Sequence, residues 1–310
     1  MLGAGGAAGH AYHAGVLAAL EEETGWQPDS ADVIVGTSAG SIVAALVRAG
    51  CSARDLASAS LRRPLSPAGR ALFERIGRRA ELPFPSVEHA DVRRGPAALN
   101  LLLRPWGLRP GALGAALLPP GRVPAEAIAA GVRNVYGTAW PSRPTWICAV
   151  RLDDGGLVVF GRAGAPLASL AEAVAASCAI PAFFTPVVIG GARHVDGGVH
   201  SVTNADQVAG LSLDLVLVSC PMGSTRAPVA YTVDLPLRAA IRRRLEREEA
   251  AVRRSGAELV SFLPTPADRA AMGGNPMDAR RSAAVTTRAY ESTRALLRDA
   301  GTRRRLRALG

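Results

Sequence analysis

A serine flanked by two glycines, set between an apolar β-branched run and an apolar helical run, constrains this chain most strongly. The segment Gly36-Thr37-Ser38-Ala39-Gly40 follows Asp32-Val33-Ile34-Val35 and precedes Ser41 to Val47. A strand that turns directly into a helix must bend sharply, and glycines on either side of the serine leave room for that bend. The pattern predicts a strand-turn-helix unit with Ser38 at the turn, where free N–H groups and the helix dipole favour negative charge.

The composition is that of a globular protein with a core of small aliphatic side chains. Of the 310 residues, 48% are hydrophobic and 5% are aromatic. Apolar strand-like runs alternate with helical runs, which predicts an α/β fold with a mainly parallel central sheet. We expect a single domain over residues 1–310, with a catalytic core at about 2–220. A helical insertion, either a lid over the site or a loosely packed addition to the core, is expected at about 52–124, and a helical C-terminal extension at about 221–310.

The charge indicates a partner with an anionic surface. All 36 basic residues are arginine and the formal net charge is +10. Because the arginine runs lack interleaved aromatic residues, we do not expect nucleic acid as a partner, and peripheral contact with an anionic membrane is favoured. No uncharged apolar run reaches the length that spans a bilayer.

The cysteines and the N-terminus favour a cytoplasmic protein. Cys51, Cys148, Cys178 and Cys220 are far apart in the sequence, and no Cys/His cluster has metal-ligand spacing. We therefore expect reduced, buried cysteines, no metal and no cofactor. The glycine-rich N-terminus does not have the pattern of a secretory signal.

Ser38 needs a base, and Asp196 is a better candidate than any histidine. The histidines are His10, His13, His89, His194 and His200, and the last lies only four residues beyond Asp196. A triad in the order Ser, acid, His is therefore not expected, and we interpret His13, His194 and His200 as structural. Asp196 follows a predicted hairpin and precedes Gly197-Gly198, and partial burial would raise its pKa toward that of a working base.

The glycine-rich loop from Gly3 to Gly9 can stabilise an oxyanion. A loop of this kind at the start of a helix exposes successive N–H groups, here those of Gly5, Gly6 and Ala7. The alternative is a dinucleotide-binding loop. That interpretation is weaker because the first glycine of its motif would fall on Ala4, and almost no strand precedes the loop.

Taken in order, these three motifs resemble those of the patatin-like phospholipase family. The flanking segments are similar too, namely Gly15-Val16-Leu17, Ala176 to Pro181, and Asn204-Ala205-Asp206. The resemblance covers about residues 2–220. It implies a three-layer α/β/α fold and hydrolysis of lipid acyl esters, as by a phospholipase A, a lysophospholipase or an esterase.

The resemblance also implies residue roles. Ser38 would be the nucleophile and Asp196 the base of a dyad, with oxyanion N–H groups from Gly5, Gly6, Ala7 and Ala39. The remaining motif positions are Gly3, Gly9, Gly36, Gly40, Gly197 and Gly198. An acyltransferase or thioesterase with the same dyad and a non-enzymatic nucleotide-binding module are the alternatives.

The acyl and headgroup contacts are less defined. Trp106, Phe183 and Phe184 could line an acyl pocket, although core packing is the default for such residues. Many family members carry an arginine or lysine within the glycine-rich loop, whereas this loop has none before His10. Contact with a phosphate headgroup would therefore need His10 or an arginine of the lid.

Overall fold

The computed structural model describes residues 1–77, 121–225 and 235–309. Within these ranges the chain is mixed α/β. The helices are α1 Gly6–Thr24, α2 Ala39–Arg48, α3 Ala53–Ser60, α4 Pro67–Ile76, α5 Ala130–Tyr136, α6 Leu170–Ser177, α7 Leu235–Arg254, α8 Pro266–Met272, α9 Ser282–Leu297 and α10 Ala300–Arg305. The strands are β1 Ile34–Thr37, β2 Thr145–Arg151, β3 Leu157–Phe160, β4 Val187–Ile189, β5 Ala192–Asp196, β6 Leu215–Ser219 and β7 Glu258–Phe262.

The parallel part of the sheet is joined through the first residues of the chain. Strand β1 pairs with β2 and β6 pairs with β7, both in parallel. Leu2 forms parallel bridges to Gly36 and to Ser219, so it links β1 to β6. Its N–H donates to Val35 O at 2.8 Å, and the Thr37 N–H donates to its carbonyl at 3.0 Å. The glycine-rich loop that follows Leu2 is thereby held at the end of β1.

The antiparallel strands bring the end of β5 to the end of β1. Strand β3 pairs with residues 147–150 of β2, while β1 pairs with residues 145–148 and β5 with residues 149–151. Because β3 shares partner residues with both, β1 and β5 lie on the same edge of β2. Thr37 is opposite Cys148 and Asp196 is opposite Ala149. The two strands therefore meet end to end along that edge.

The sheet packs against apolar side chains on both faces. Ile34 of β1 and Ile147 of β2 belong to a core that includes α2, α3 and α6. Their neighbours Val35 and Cys148 point the other way, into a second cluster with Ile241, Leu245 and Val252 of α7. This alternation is the period of two that strand geometry imposes.

A capping box fixes the start of α6, and a close backbone approach joins α1 to α9. Ser169 and Glu172 form a capping box at the start of α6, which contributes about 1 kcal/mol. Helix α1 packs directly on α9, where Thr286 Oγ1 donates to Ala11 O at 3.0 Å. A Cβ at Gly15 would lie 2.4 Å from Thr286 O, so only glycine allows this contact.

The described residues include only part of the predicted insertion, and the predicted helical C-terminal extension also contains a strand. Of the lid predicted at about 52–124, the described residues form α3, α4 and a short segment from residue 121, and the rest lies outside them. The C-terminal part is not purely helical, because Glu258–Phe262 adds β7 beside β6. Near the C-terminus, Arg303 to Arg305 belong to α10, which is capped by Asp299.

Candidate functional site

Ser38 lies at a strained turn between β1 and α2. Its φ is 53° and its ψ is −120°, a combination that costs a non-glycine residue about 1–3 kcal/mol. The flanking glycines permit this turn. A Cβ at Gly36 would lie 2.6 Å from Ser41 Cα, and one at Gly40 would lie 2.0 Å from Leu2 O. The local geometry is that of a nucleophile elbow.

A hydrogen-bond chain from α6 holds the elbow. The Ser38 N–H donates to Ser177 Oγ at 2.9 Å, and the Ser177 hydroxyl donates to Cys148 O at 2.6 Å. The Ser41 hydroxyl donates to Ser38 O at 2.6 Å. Sequence reasoning missed this role of Ser177, although the residue lies in a flanking segment that it singled out. Since the Ser38 N–H is occupied, Ala39 is the first residue of α2 whose N–H can serve an anion.

Asp196 is a buried carboxyl beside the Ser38 hydroxyl. Both residues are only 5% exposed. Burial raises the pKa of Asp196 from 3.8 to about 6, while the nearby Ser38 hydroxyl and the Gly198 N–H partly oppose that rise. The Gly198 N–H lies 2.7 Å from Asp196 Oδ1, and the Asp196 N–H donates to Ala179 O at 2.9 Å. A carboxyl with this pKa is ionised at neutral pH and can still accept a proton.

The glycine-rich loop lies against both of the other motifs. A Cβ at Gly9 would lie 3.6 Å from Ala39 Cβ, and one at Gly198 would lie 3.5 Å from Ala4 Cβ. The Ala8 N–H donates to Pro276 O at 2.9 Å, whereas the N–H groups of Gly6 and Ala7, in the first turn of α1, have no intrahelical acceptor. The structure therefore brings the loop, the elbow and the Asp196 turn together.

The remaining motif glycines pack against backbone. A Cβ at Gly3 would lie 2.8 Å from Val202 O, and one at Gly197 would lie 2.3 Å from Cys148 O. A Cβ at Gly5 would lie 2.7 Å from Gly9 Cα. These contacts explain why the chain carries glycine where the loop and the Asp196 turn approach the sheet.

The histidines of the described residues are held by hydrogen bonds or by packing. His13 Nε2 donates to Gly3 O at 2.8 Å and Nδ1 lies 2.8 Å from Ser219 Oγ, while burial lowers the pKa of His13 to about 4. His200 Nδ1 lies 2.9 Å from Asn204 Oδ1. His194 is buried with its ring edge against Phe160, 5.3 Å between centroids. His10 is buried, and His89 lies outside the described residues.

Asn204 and Glu248 support the end of β1, and neither was predicted to do so. Asn204 Nδ2 donates to Thr37 Oγ1 at 3.0 Å, directly before Ser38. Glu248 of α7 accepts the Ala205 N–H at 2.9 Å and Arg244 Nε at 2.8 Å, and also the Thr203 hydroxyl. Arg244 and Glu248 have the i,i+4 spacing typical of a solvated helix face, yet the Glu248 side chain is only 1% exposed.

The aromatic candidates and the cysteines are part of the packing. Phe183 and Phe184 are buried in the core with their rings edge to face at 4.5 Å, and Trp106 lies outside the described residues. All four cysteines are free and buried. Burial raises the pKa of the Cys178 thiol, near Ser38, to about 12, so it is not a nucleophile at neutral pH.

Two cavities lie in the described part of the chain, one far from Ser38 and one beside the glycine-rich loop. One, of about 340 Å³, lies between the starts of β1 and β6, lined by Val33, Leu215 and Trp26 among others, at the opposite end of β1 from Ser38. The other, of about 110 Å³, borders the glycine-rich loop at Gly5, Ala8 and Gly9. Within residues 1–77, 121–225 and 235–309, no three metal-ligating side chains cluster, and no helix is long and apolar enough to cross a bilayer.

Comparison with known proteins agrees with this geometry. The family model described as patatin-like phospholipase matches residues 1–209, which include the loop, the elbow and the Asp196 turn. No curated protein matches the chain. Because the matched region covers more than half of the chain, the protein belongs to the patatin-like phospholipase family.

Proposed function

We propose that this protein is a serine lipid acyl hydrolase that works through a Ser38–Asp196 dyad. The observation that carries the proposal is the contact between a serine hydroxyl at a strained elbow and a carboxyl whose burial raises its pKa to about 6. Membership of the patatin-like phospholipase family supports activity on lipid esters.

The proposed reaction begins with Ser38 Oγ attacking the ester carbonyl carbon. Asp196 accepts the hydroxyl proton as the new bond forms, which is the task of a base with a pKa near the working pH. The tetrahedral oxyanion accepts hydrogen bonds from the N–H groups of the loop and of Ala39, aided by the positive ends of α1 and α2. The leaving alcohol then takes the proton from Asp196, and an acyl-Ser38 intermediate remains.

Deacylation reverses these roles with water. Asp196 removes a proton from a water molecule that attacks the acyl carbonyl, and the carboxylic acid product leaves as the proton returns to Ser38 Oγ. Attack by an alcohol in place of water would make the same site an acyltransferase. Partition of the acyl group between water and an added alcohol measures which acceptor the site prefers.

The surroundings of the site support a catalytic domain that works at a lipid surface. The alternation of Ile34 and Val35, or of Ile147 and Cys148, between two cores supports the proposed three-layer arrangement. The net charge of +10 supports peripheral contact with anionic lipid. We further propose that residues 1–310 form a single domain, because β7 pairs with β6 and Glu248 of α7 binds Thr203 and Ala205, which precede β6.

Hydrolysis of a soluble ester and of a phospholipid by purified variants tests the proposal. Ser38→Ala is expected to lower kcat by at least about 10³-fold, and Asp196→Asn by nearly as much, because the two groups act as a unit. Ser30→Ala and Asp32→Asn, at exposed positions, serve as matched controls and should retain full activity. Activity above background in Ser38→Ala would refute the mechanism.

A further inference from the structure

Glu248 binds the residues on both sides of Asn204. Its side chain comes from α7 and is only 1% exposed. Glu248 Oε2 accepts the Ala205 N–H at 2.9 Å and also the Thr203 hydroxyl. Glu248 Oε1 accepts Arg244 Nε at 2.8 Å. Because a buried carboxylate with three hydrogen-bond donors is costly to displace, it fixes the segment on which Asn204 lies.

Asn204 has a left-handed backbone conformation and a fully buried side chain. Its φ is 50° and its ψ is 36°, a region in which asparagine is one of the few non-glycine residues found often. Its Nδ2 donates to Thr37 Oγ1 at 3.0 Å and to Ser201 O at 2.8 Å. Its Oδ1 lies 2.9 Å from His200 Nδ1. The amide therefore has a partner at both of its polar atoms, and its orientation is fixed.

Thr37 and Ser201 belong to the two segments that carry the proposed dyad. Thr37 directly precedes the proposed nucleophile. The Ser201 N–H donates to the carbonyl of Gly197 at 3.2 Å, and Gly197 directly follows Asp196. The same two segments also touch, because a Cβ at Gly197 would lie 3.1 Å from Thr37 Cγ2. Asn204 thus joins the end of β1 to the turn after the proposed base.

We propose that Glu248, acting through Asn204, is a positioning residue that aligns the Ser38 hydroxyl with the Asp196 carboxyl. Proton transfer between these groups depends on their separation, and a misplacement of about 1 Å can cost about 10²-fold in rate. The inference rests on the proposed dyad. It extends the site from residues 1–209, which the family model matches, to α7 in the C-terminal part of the chain.

Hydrolysis of p-nitrophenyl butyrate by purified variants tests the alignment. Asn204→Gly removes the joining side chain, while glycine tolerates the left-handed backbone. It should lower kcat by about 10-fold or more and leave KM unchanged, because the misaligned groups act on the chemical step. Glu248→Gln should lower kcat in the same way. Glu246→Gln, at an exposed position of the same helix, is the matched control and should retain the wild-type kcat.

The variant that combines Glu248→Gln with Asn204→Gly shows whether the two residues act in series. If Glu248 acts through Asn204, the combined variant should be no slower than Asn204→Gly alone. Effects on kcat that multiply, or a change in KM alone, would overturn the proposal. Circular dichroism shows whether each variant is folded. If Asn204→Gly does not fold, Thr37→Val decides, because it removes the same hydrogen bond while keeping a β-branched side chain in β1.

A titration of the Asp196 carboxyl tests the alignment without turnover. The Ser38 hydroxyl lowers the pKa of Asp196, so a hydroxyl that has moved away should leave this pKa above the wild-type value of about 6. Carbon-13 NMR of aspartate-labelled protein measures the pKa, with Asp196→Asn to assign the signal.

The titration also separates this proposal from the proposed function. The pKa of Asp196 should rise in Asn204→Gly and in Thr37→Val, whereas Asn204→Gly should not raise it further in a Ser38→Ala background. An unchanged pKa in these folded variants would overturn the proposal. If the wild type hydrolyses no ester, the proposed function fails, while the titration still decides whether Asn204 aligns the two groups.

Discussion

Replacing Asp196 by asparagine should abolish activity and should favour the folded state, relative to the wild type, more at alkaline than at acidic pH. Burial raises the pKa of Asp196 from 3.8 to about 6 in the folded protein. The folded state therefore binds the proton more tightly than the unfolded state does. Stability from this group is fully present below about pH 4 and is lost as the pH rises through about 6.

The size of the effect follows from the shift. Each pKa unit corresponds to about 1.4 kcal/mol, so the whole shift is worth about 3 kcal/mol. About 2.5 kcal/mol of it is lost between pH 4 and pH 8, because the unfolded carboxyl is already partly ionised at pH 4. Because asparagine does not ionise, Asp196→Asn avoids this loss. The substitution also alters the hydrogen bond that the residue 196 side chain accepts from the Gly198 N–H. We treat that contribution to stability as equal at pH 4 and pH 8, so it cancels when the stability differences at the two pH values are compared.

Chemical denaturation of both proteins at pH 4 and pH 8 measures the effect. The stability of Asp196→Asn relative to the wild type should increase by about 2.5 kcal/mol from the acidic to the alkaline condition. Asp32→Asn, which removes an exposed carboxyl, should show a much smaller change. A pH-independent difference between Asp196→Asn and the wild type would refute the argument that burial raises the pKa of Asp196.

Three further predictions follow from the geometry of the elbow and the dyad. In a pH profile, kcat/KM should rise with pH and level off above about 6, as Asp196 loses its proton; a profile that is flat down to pH 4 would contradict this. Ser177→Ala removes the acceptor of the Ser38 N–H, so it should lower kcat by about 10-fold or more and stability by about 1–3 kcal/mol, measured by ester hydrolysis and denaturation. Gly40→Ala would place a Cβ 2.0 Å from Leu2 O, so it should cost about 3 kcal/mol or more in thermal or chemical unfolding, and an unchanged midpoint would contradict the packing.

The elbow and the order of the motifs could be predicted because their signals are local. An apolar β-branched run, a serine between glycines and an apolar helical run are contiguous in sequence, and the structure has β1, Ser38 and α2 in that order. The hairpin formed by β4 and β5 was located in the same way, from its Gly190-Gly191 turn. Such features depend on residues within a few positions of one another.

The supports of the site could not be predicted because they connect distant parts of the chain. Ser177 reaches Ser38 across 139 positions, and Glu248 reaches Ala205 across 43. Glu248 has the i,i+4 spacing to Arg244 that is typical of an exposed helix face, so its burial has no local signal. Strand β7 was missed for a related reason, since a five-residue run becomes a strand only by pairing with β6.

Labelling with a fluorophosphonate, followed by mass-spectrometric mapping of the adduct across a range of pH, tests the proposed dyad most directly. The account predicts one adduct on Ser38, absent in Ser38→Ala, unchanged in Ser30→Ala, and formed with a rate that rises through about pH 6 in the wild type but not in Asp196→Asn. An adduct on another residue, or equally fast labelling of Ser38 in Asp196→Asn, would contradict it.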